Sequence, residues 1–130
     1  MELEHTVVAG LARQQSFTVK EEHSAAHIGS GTVGVLSTPS MIAFMEITAR
    51  TLLDKHLPDS HTSVGVQVSV SHLAACPLGA EVEARVEVLS VDGRRITLAV
   101  EAWHGDTNRG AGTHQRVIAD KERVLAKAAA

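Results

Sequence analysis

The stretch STPSMIAFMEITARTLLDKHL, residues 37–57, constrains this chain more than any other. Apolar side chains fall on nearly every face of a helix drawn through it, so the helix needs cover from more than one direction. Thr38 is placed to cap the free amides at its start, Pro39 suits the first helical position, and Pro58 sets the expected end near Leu57. At about 100° per residue, Glu46 shares its face with Ile42, Ala43, Ala49 and Leu53, opposite Met41, Phe44 and Leu52. A helical glutamate is ordinarily half of a surface ion pair, here with Arg50 one turn on, worth a few tenths of a kcal/mol. The apolar neighbours of Glu46 weaken that reading and make its carboxylate a candidate for chemistry.

Beyond the helix the period changes to two. In SVGVQVSVSH the side chains of Val64, Val66, Val68 and Val70 alternate with Gly65, Gln67, Ser69 and Ser71, the pattern of a half-buried strand, with His72 continuing the valine face. AEVEARVEVL alternates again, and Asp92-Gly93 marks a tight turn into RRITLAVEAWH. A polar turn, GDTNRG, then leads to a last strand, AGTHQRVIAD. Ahead of the helix, SFTVKEE reads as a first strand and HSAAHIGSGTVGVL as a mobile connection with a short helical turn at 24–28. The order of strand, helix and four antiparallel strands gives an α+β fold, one long helix packed on a curved sheet. Residues 1–130 form one domain in this reading, with flexible ends over about 1–12 and 124–130. An all-round apolar helix and a sheet with open edges call for a second copy, a homodimer or dimer of dimers.

Composition narrows the function classes. A net charge of −3 and the absence of any basic run argue against nucleic acid as a partner, and no apolar run reaches the length of a membrane span. The single cysteine, Cys76, has no internal partner, and the start MELEHTVVAGLARQQ lacks the features of a signal peptide, which points to a cytoplasmic protein. His23 and His27 would share a helical face, but no further ligands follow at zinc-like spacing, so no metal is expected. Cys76 beside a proline turn shows no activating group, and GSGTVG precedes no phosphate-loop lysine. A histidine closing a valine face, as His72 does, is ordinarily a core residue bonded to a carbonyl.

Over residues 37–120, STPSMIAFMEITARTLLDKHLPDSHTSVGVQVSVSHLAACPLG, VLSVDGRRITLAVEAWHG and GAGTHQRVIA resemble the fluoroacetyl-CoA thioesterase type of hotdog-fold protein. The resemblance implies a curved antiparallel sheet wrapped around one long central helix, hydrolysing an acyl-CoA without a further cofactor. It also implies a catalytic set of Thr38, Glu46 and His72. By the same matching, the Gly65 amide faces the thioester oxygen and Arg116, in the GTH-x-R stretch, contributes to oxyanion or substrate binding. Glu46, in apolar surroundings, would be a stronger base or nucleophile. The fluoroacetyl-specific enzymes carry lid phenylalanines ahead of the threonine, whereas residues 23–36 here have none, so a short or medium acyl group is the expected substrate. Two other readings remain: a non-catalytic acyl-CoA-binding module, and an enoyl-CoA hydratase or dehydratase. The latter class uses an Asp and His pair near the start of its helix, and no Asp-x-x-x-x-His run occurs there.

Overall fold

A computed structural model describes residues 5–130. Strand β1 (Ala12–Thr18) leads through a 3-10 turn (Glu21–His23) and a short helix α1 (Ala25–Ile28) to the long helix α2 (Thr38–Asp54). Strands β2 (His61–His72), β3 (Glu81–Asp92), β4 (Arg95–His104) and β5 (Thr107–Asp120) follow, and helix α3 (Lys121–Ala129) closes the chain. The strands form one antiparallel sheet in the order β1-β3-β4-β5-β2, so β1 and β2 are its edges. No described helix is long and apolar enough to cross a membrane.

The sheet curves around α2. From β3 come Val82, Ala84, Val86 and Val88, and from β4 Ile96, Leu98, Val100 and Ala102, all buried with Met41, Phe44, Met45, Leu52 and Leu53 of the helix. The stacked rings of Phe17 and Phe44, 4.4 Å between centroids, join β1 to the same core. Ala49 and Leu53, grouped with Glu46 by the helical periodicity, are fully buried too, because a curved sheet covers more than half of the helix circumference. Ile42, Ala43, Glu46, Ile47 and Arg50 remain at least partly open.

Several boundaries depart from the sequence reading. Ser37 is the N-cap of α2, its side chain accepting from the Ser40 amide, so Thr38 is the first helical residue and its hydroxyl is left for other work. The helix ends at Asp54, and β1 starts earlier, at Ala12. Strand β5 begins within the segment read as a turn. The alanine-rich end, read as a tail, is helical, with Asp120 as N-cap. The connection before α2, expected to be mobile, is held by Leu36 N to Cys76 O at 2.8 Å, Ser37 N to His23 O at 2.9 Å and Ala25 N to Val35 O at 2.8 Å. Its helical turn is α1.

The largest correction lies in β2. The pairing with β5 shifts between Gly65 and Gln67, leaving Val66 as an extra residue, a β-bulge. Opposed residues in a ladder share a face. Ser63 and Gly65 therefore share the helix side with Ile118 and Arg116, while beyond the bulge Val68, Val70 and His72 take that side opposite His114, Gly112 and Gly110. The uninterrupted valine face does not exist; Val66 and Val68 are 49% and 38% exposed on the free edge. Opposite that bend, a Cβ on Gly112 would collide with Ser69 O and Val70 Cα of the neighbouring backbone. Replacement of Gly112 by alanine is expected to cost at least about 2 kcal/mol by overpacking, read as a lowered denaturation midpoint with unchanged slope.

Candidate active site

Two clusters of polar side chains lie along α2. At its first turn Thr38 Oγ1 and His72 Nδ1 form a 2.8 Å hydrogen bond, joining the helix start to the end of β2. His72 Nε2 is enclosed and has no hydrogen-bond partner within the chain. Burial lowers the His72 pKa, against an opposing contribution from the Ala74 backbone, so the ring is disposed to be a neutral proton acceptor. Ala25, Val35, Leu36, Leu73 and this pair line a cavity of about 460 Å³.

Two turns further on, Glu46 reaches back to the sheet. Its Oε2 lies 3.4 Å from Arg116 Nη1 and 3.9 Å from His114 Nε2. A Cβ on Gly65 would sit 2.6 Å from that oxygen and 3.1 Å from His114 Cε1, so the bare glycine is what admits the carboxylate. Glu46 is 41% exposed, and its partners on the sheet are cationic and polar. The apolar burial anticipated for it is therefore absent within one chain. Nor is it paired with Arg50, which bonds Asp54 Oδ2 at 2.8 Å instead.

Arg116, expected to contribute to oxyanion or substrate binding, is 5% exposed and bonded on all three nitrogens. Nε donates to Ser63 Oγ at 2.7 Å and Nη2 to Ser63 O at 2.8 Å. Burial lowers the guanidinium's pKa, opposed by the carboxylates of Glu46 and Asp54. A guanidinium so placed has one nitrogen within reach of the Glu46 carboxylate. His114, which the sequence reading passed over, is 1% exposed beside it. Burial is the main cause lowering its pKa. The one signal that could have marked it was its place in the GTH-x-R stretch, on the same face as Arg116.

Elsewhere the candidates separate. His23 packs edge-on against Phe44, and its Nδ1 accepts from the Lys20 amide at 2.9 Å. Cys76 is buried, and burial raises its thiol pKa against the opposing charge of Arg109. Among the described residues no group of three or more His, Cys, Asp or Glu side chains is placed to hold a metal ion.

The buried His114 and the partly buried His72 make stability depend on pH. With folded pKa values below the unfolded value of 6.5, both states are neutral well above it. As pH falls through 6.5 the unfolded chain takes up protons that the folded one resists, and stability drops until the folded pKa values are passed. His114→Gln lacks one of these protonations, so its stability deficit relative to wild type is expected to shrink as pH is lowered. Urea titrations at several pH values measure it; a deficit that grows on acidification contradicts the assignment.

Comparison with known proteins places the chain in a family. Residues 19–122 match the family model described as FlK, fluoroacetyl-CoA-specific thioesterase. The chain is 34% identical over 93 residues to the fluoroacetyl-CoA thioesterase of Streptantibioticus cattleyicolor, covering 72% of this chain and 67% of that one. A solved structure of the fluoroacetyl-CoA thioesterase FlK superimposes with a TM-score of 0.89 at 28% identity, over 95% of this chain and 96% of that chain. A phenylalanine-to-alanine mutant of FlK in complex with fluoroacetate and CoA gives a TM-score of 0.86 at 27% identity, over 91% and 99%. The fold is the hotdog fold, and the chain belongs to the fluoroacetyl-CoA-specific thioesterase family.

Proposed function

We propose that the chain hydrolyses an acyl-CoA thioester, with Glu46, His72 and Thr38 as its working residues. The observation that carries this is the Glu46 carboxylate held over the bare Gly65 by a buried arginine, on the same helix as Thr38, which is hydrogen-bonded to His72 of β2. Both contacts of Glu46 are to Oε2. Oε1 promotes attack on the carbonyl carbon in one of two ways: it activates a water that attacks, or it adds directly to give an acyl-glutamyl anhydride that a water then cleaves to the free acid, regenerating the carboxylate. Addition places the charge on the carbonyl oxygen, and its collapse breaks the C–S bond; His72, held by Thr38, relays to the departing CoA thiolate a proton taken up from the water or from solvent. Gly65 leaves room for the carbonyl oxygen to approach its backbone. The CoA complex of the relative supports acyl-CoA as the ligand class.

Thr38 and Glu46 are eight residues apart on one helix, roughly 12 Å at 1.5 Å per residue. One chain therefore offers two half-sites, and we infer a homodimer in which each active site takes Thr38 and His72 from one copy and Glu46 from the other. The free edge of β2 supports this. Antiparallel pairing of two β2 edges centred on Ser69 sets Val68 opposite Val70, and the extra residue at Val66 then brings Gly65 opposite His72. The second copy also covers the open face of α2 and dries the carboxylate. The lid of residues 23–36, without phenylalanine, leaves the cavity beside Thr38 suited to a short or medium acyl chain. Cytoplasmic location follows from the lone, buried Cys76 in the same reading.

Glu46→Gln is expected to lose at least about a hundredfold in turnover of butyryl-CoA while staying folded, and His72→Ala likewise. Mixing the two inactive variants under exchange conditions should restore about a quarter of wild-type activity, since half of the dimers are mixed and each holds one intact site. A folded Glu46→Gln with near wild-type turnover would remove the carboxylate from the reaction. Two inactive variants that never complement would place the site within one chain. Across a chain-length series, kcat/KM for acetyl-CoA and fluoroacetyl-CoA should agree within about a hundredfold. A preference of many thousandfold would show that discrimination needs no lid aromatics.

A further inference from the structure

His114 lies beside Glu46, yet no step above employs it. Its Nδ1 is 2.8 Å from Gln67 O, and a carbonyl only accepts, so Nδ1 carries a proton. Its Nε2 is 3.1 Å from Arg116 Nη1, and a guanidinium only donates, so Nε2 is a bare lone pair. Two partners of opposite kind thus fix one state, the neutral ring with the proton on Nδ1. The same Nη1 lies 3.4 Å from Glu46 Oε2. With its two hydrogens it serves His114 and Glu46 together, while Ser63 holds the rest of the guanidinium.

We propose that His114 is a positioning residue for hydrolysis: as a neutral acceptor it fixes one hydrogen of Arg116 Nη1, so that the other is aimed at Glu46, and through Gln67 O it ties that aim to the bulge of β2. This rests on Glu46 being the working carboxylate. The charged groups that face His114 are Arg116 on its own strand and Glu46 on α2, with Asp54 and Arg50 of α2 acting on Arg116. From β2 it meets the Gln67 carbonyl and Gly65, and across β4 its ladder partner is Leu98. Protonation of His114 would set N–H against N–H at Arg116 and make the imidazolium a rival donor for Oε2. The neutral state is thus a condition of the geometry, and burial favours it.

The test compares His114→Leu and His114→Gln in butyryl-CoA hydrolysis, with Glu46→Gln as control and folding checked by circular dichroism. Leucine fills space but accepts nothing, so kcat is expected to fall at least about tenfold with KM changed less than about threefold. Glutamine offers an amide oxygen to Arg116 and should recover most of that loss. Independently of any variant, long-range 1H–15N spectra of the wild-type protein near neutral pH should show His114 as the neutral Nδ1–H tautomer, the less common form for a free imidazole. Wild-type kcat in folded His114→Leu, a glutamine variant as impaired as leucine, or an Nε2–H or doubly protonated ring would each overturn the proposal. Full activity in Glu46→Gln would instead remove the reading on which it rests.

Discussion

The guanidinium of Arg116 is the group around which the site is arranged. A buried cation costs several kcal/mol unless its donors are met in good geometry, and at 5% exposure Arg116 has no water to turn to. Ser63 supplies two acceptors, which requires Ser63 to face the helix side of β2. His114 supplies a third and Glu46 a negative charge. Gly65 shares the face of Ser63 two residues on, so the niche for the carboxylate and the anchor for the arginine come from one short piece of strand. Ser63 and His114 bond Arg116 without Glu46, whereas Glu46 supplies counter-charge to the cation.

The bulge at Val66 resolves a conflict in that strand. Ser63 and Gly65 must face the helix to meet Arg116 and Glu46, and His72 must face it to meet Thr38, yet an odd and an even position cannot share a face in a regular strand. One extra residue changes the parity between them. The bend is also where the edge valines become exposed, so the feature that builds the site shapes the edge on which a second copy would pair.

Much of the architecture is visible in local sequence, and the exceptions have physical reasons. The apolar run of α2, the Asp92-Gly93 turn and the alternations of β3 and β4 each depend on neighbours a few residues away, so period and turn chemistry reveal them. The bulge is different. Four valines in perfect alternation conceal it, because the groups it serves, Arg116 on the partner strand and Thr38 on the helix, lie far away in the sequence. Ser37 and Thr38 are equivalent as caps by residue type, and only the presence of His72 near the helix start favours Ser37 in that role and frees Thr38. The resemblance singled out Thr38, Glu46, His72, Gly65 and Arg116 from sequence alone, and the fold sets Arg116 and Gly65 beside Glu46 and His72 beside Thr38. His114 escaped because a histidine in an alternating strand looks like any satisfied core residue until its two partners are known.

The environment of Glu46 also changes how its reactivity is to be understood. Apolar burial was the simplest route from sequence to a strong base. One chain instead gives the carboxylate a cationic partner on Oε2 and leaves the side chain 41% exposed. In the proposed reaction such a carboxylate is oriented before it is dried: Arg116, through its ties to Ser63 and His114, would set direction, and a second copy and the acyl-CoA would remove water. Orientation that is fixed in advance is not lost as entropy at the moment of reaction. Desolvation that arrives with the substrate strengthens every charge interaction inside the site only when it is needed. The open face of α2 is therefore consistent with the chemistry, since a chain that buried Glu46 by itself would have had to bear the cost of a dehydrated carboxylate in its own folding.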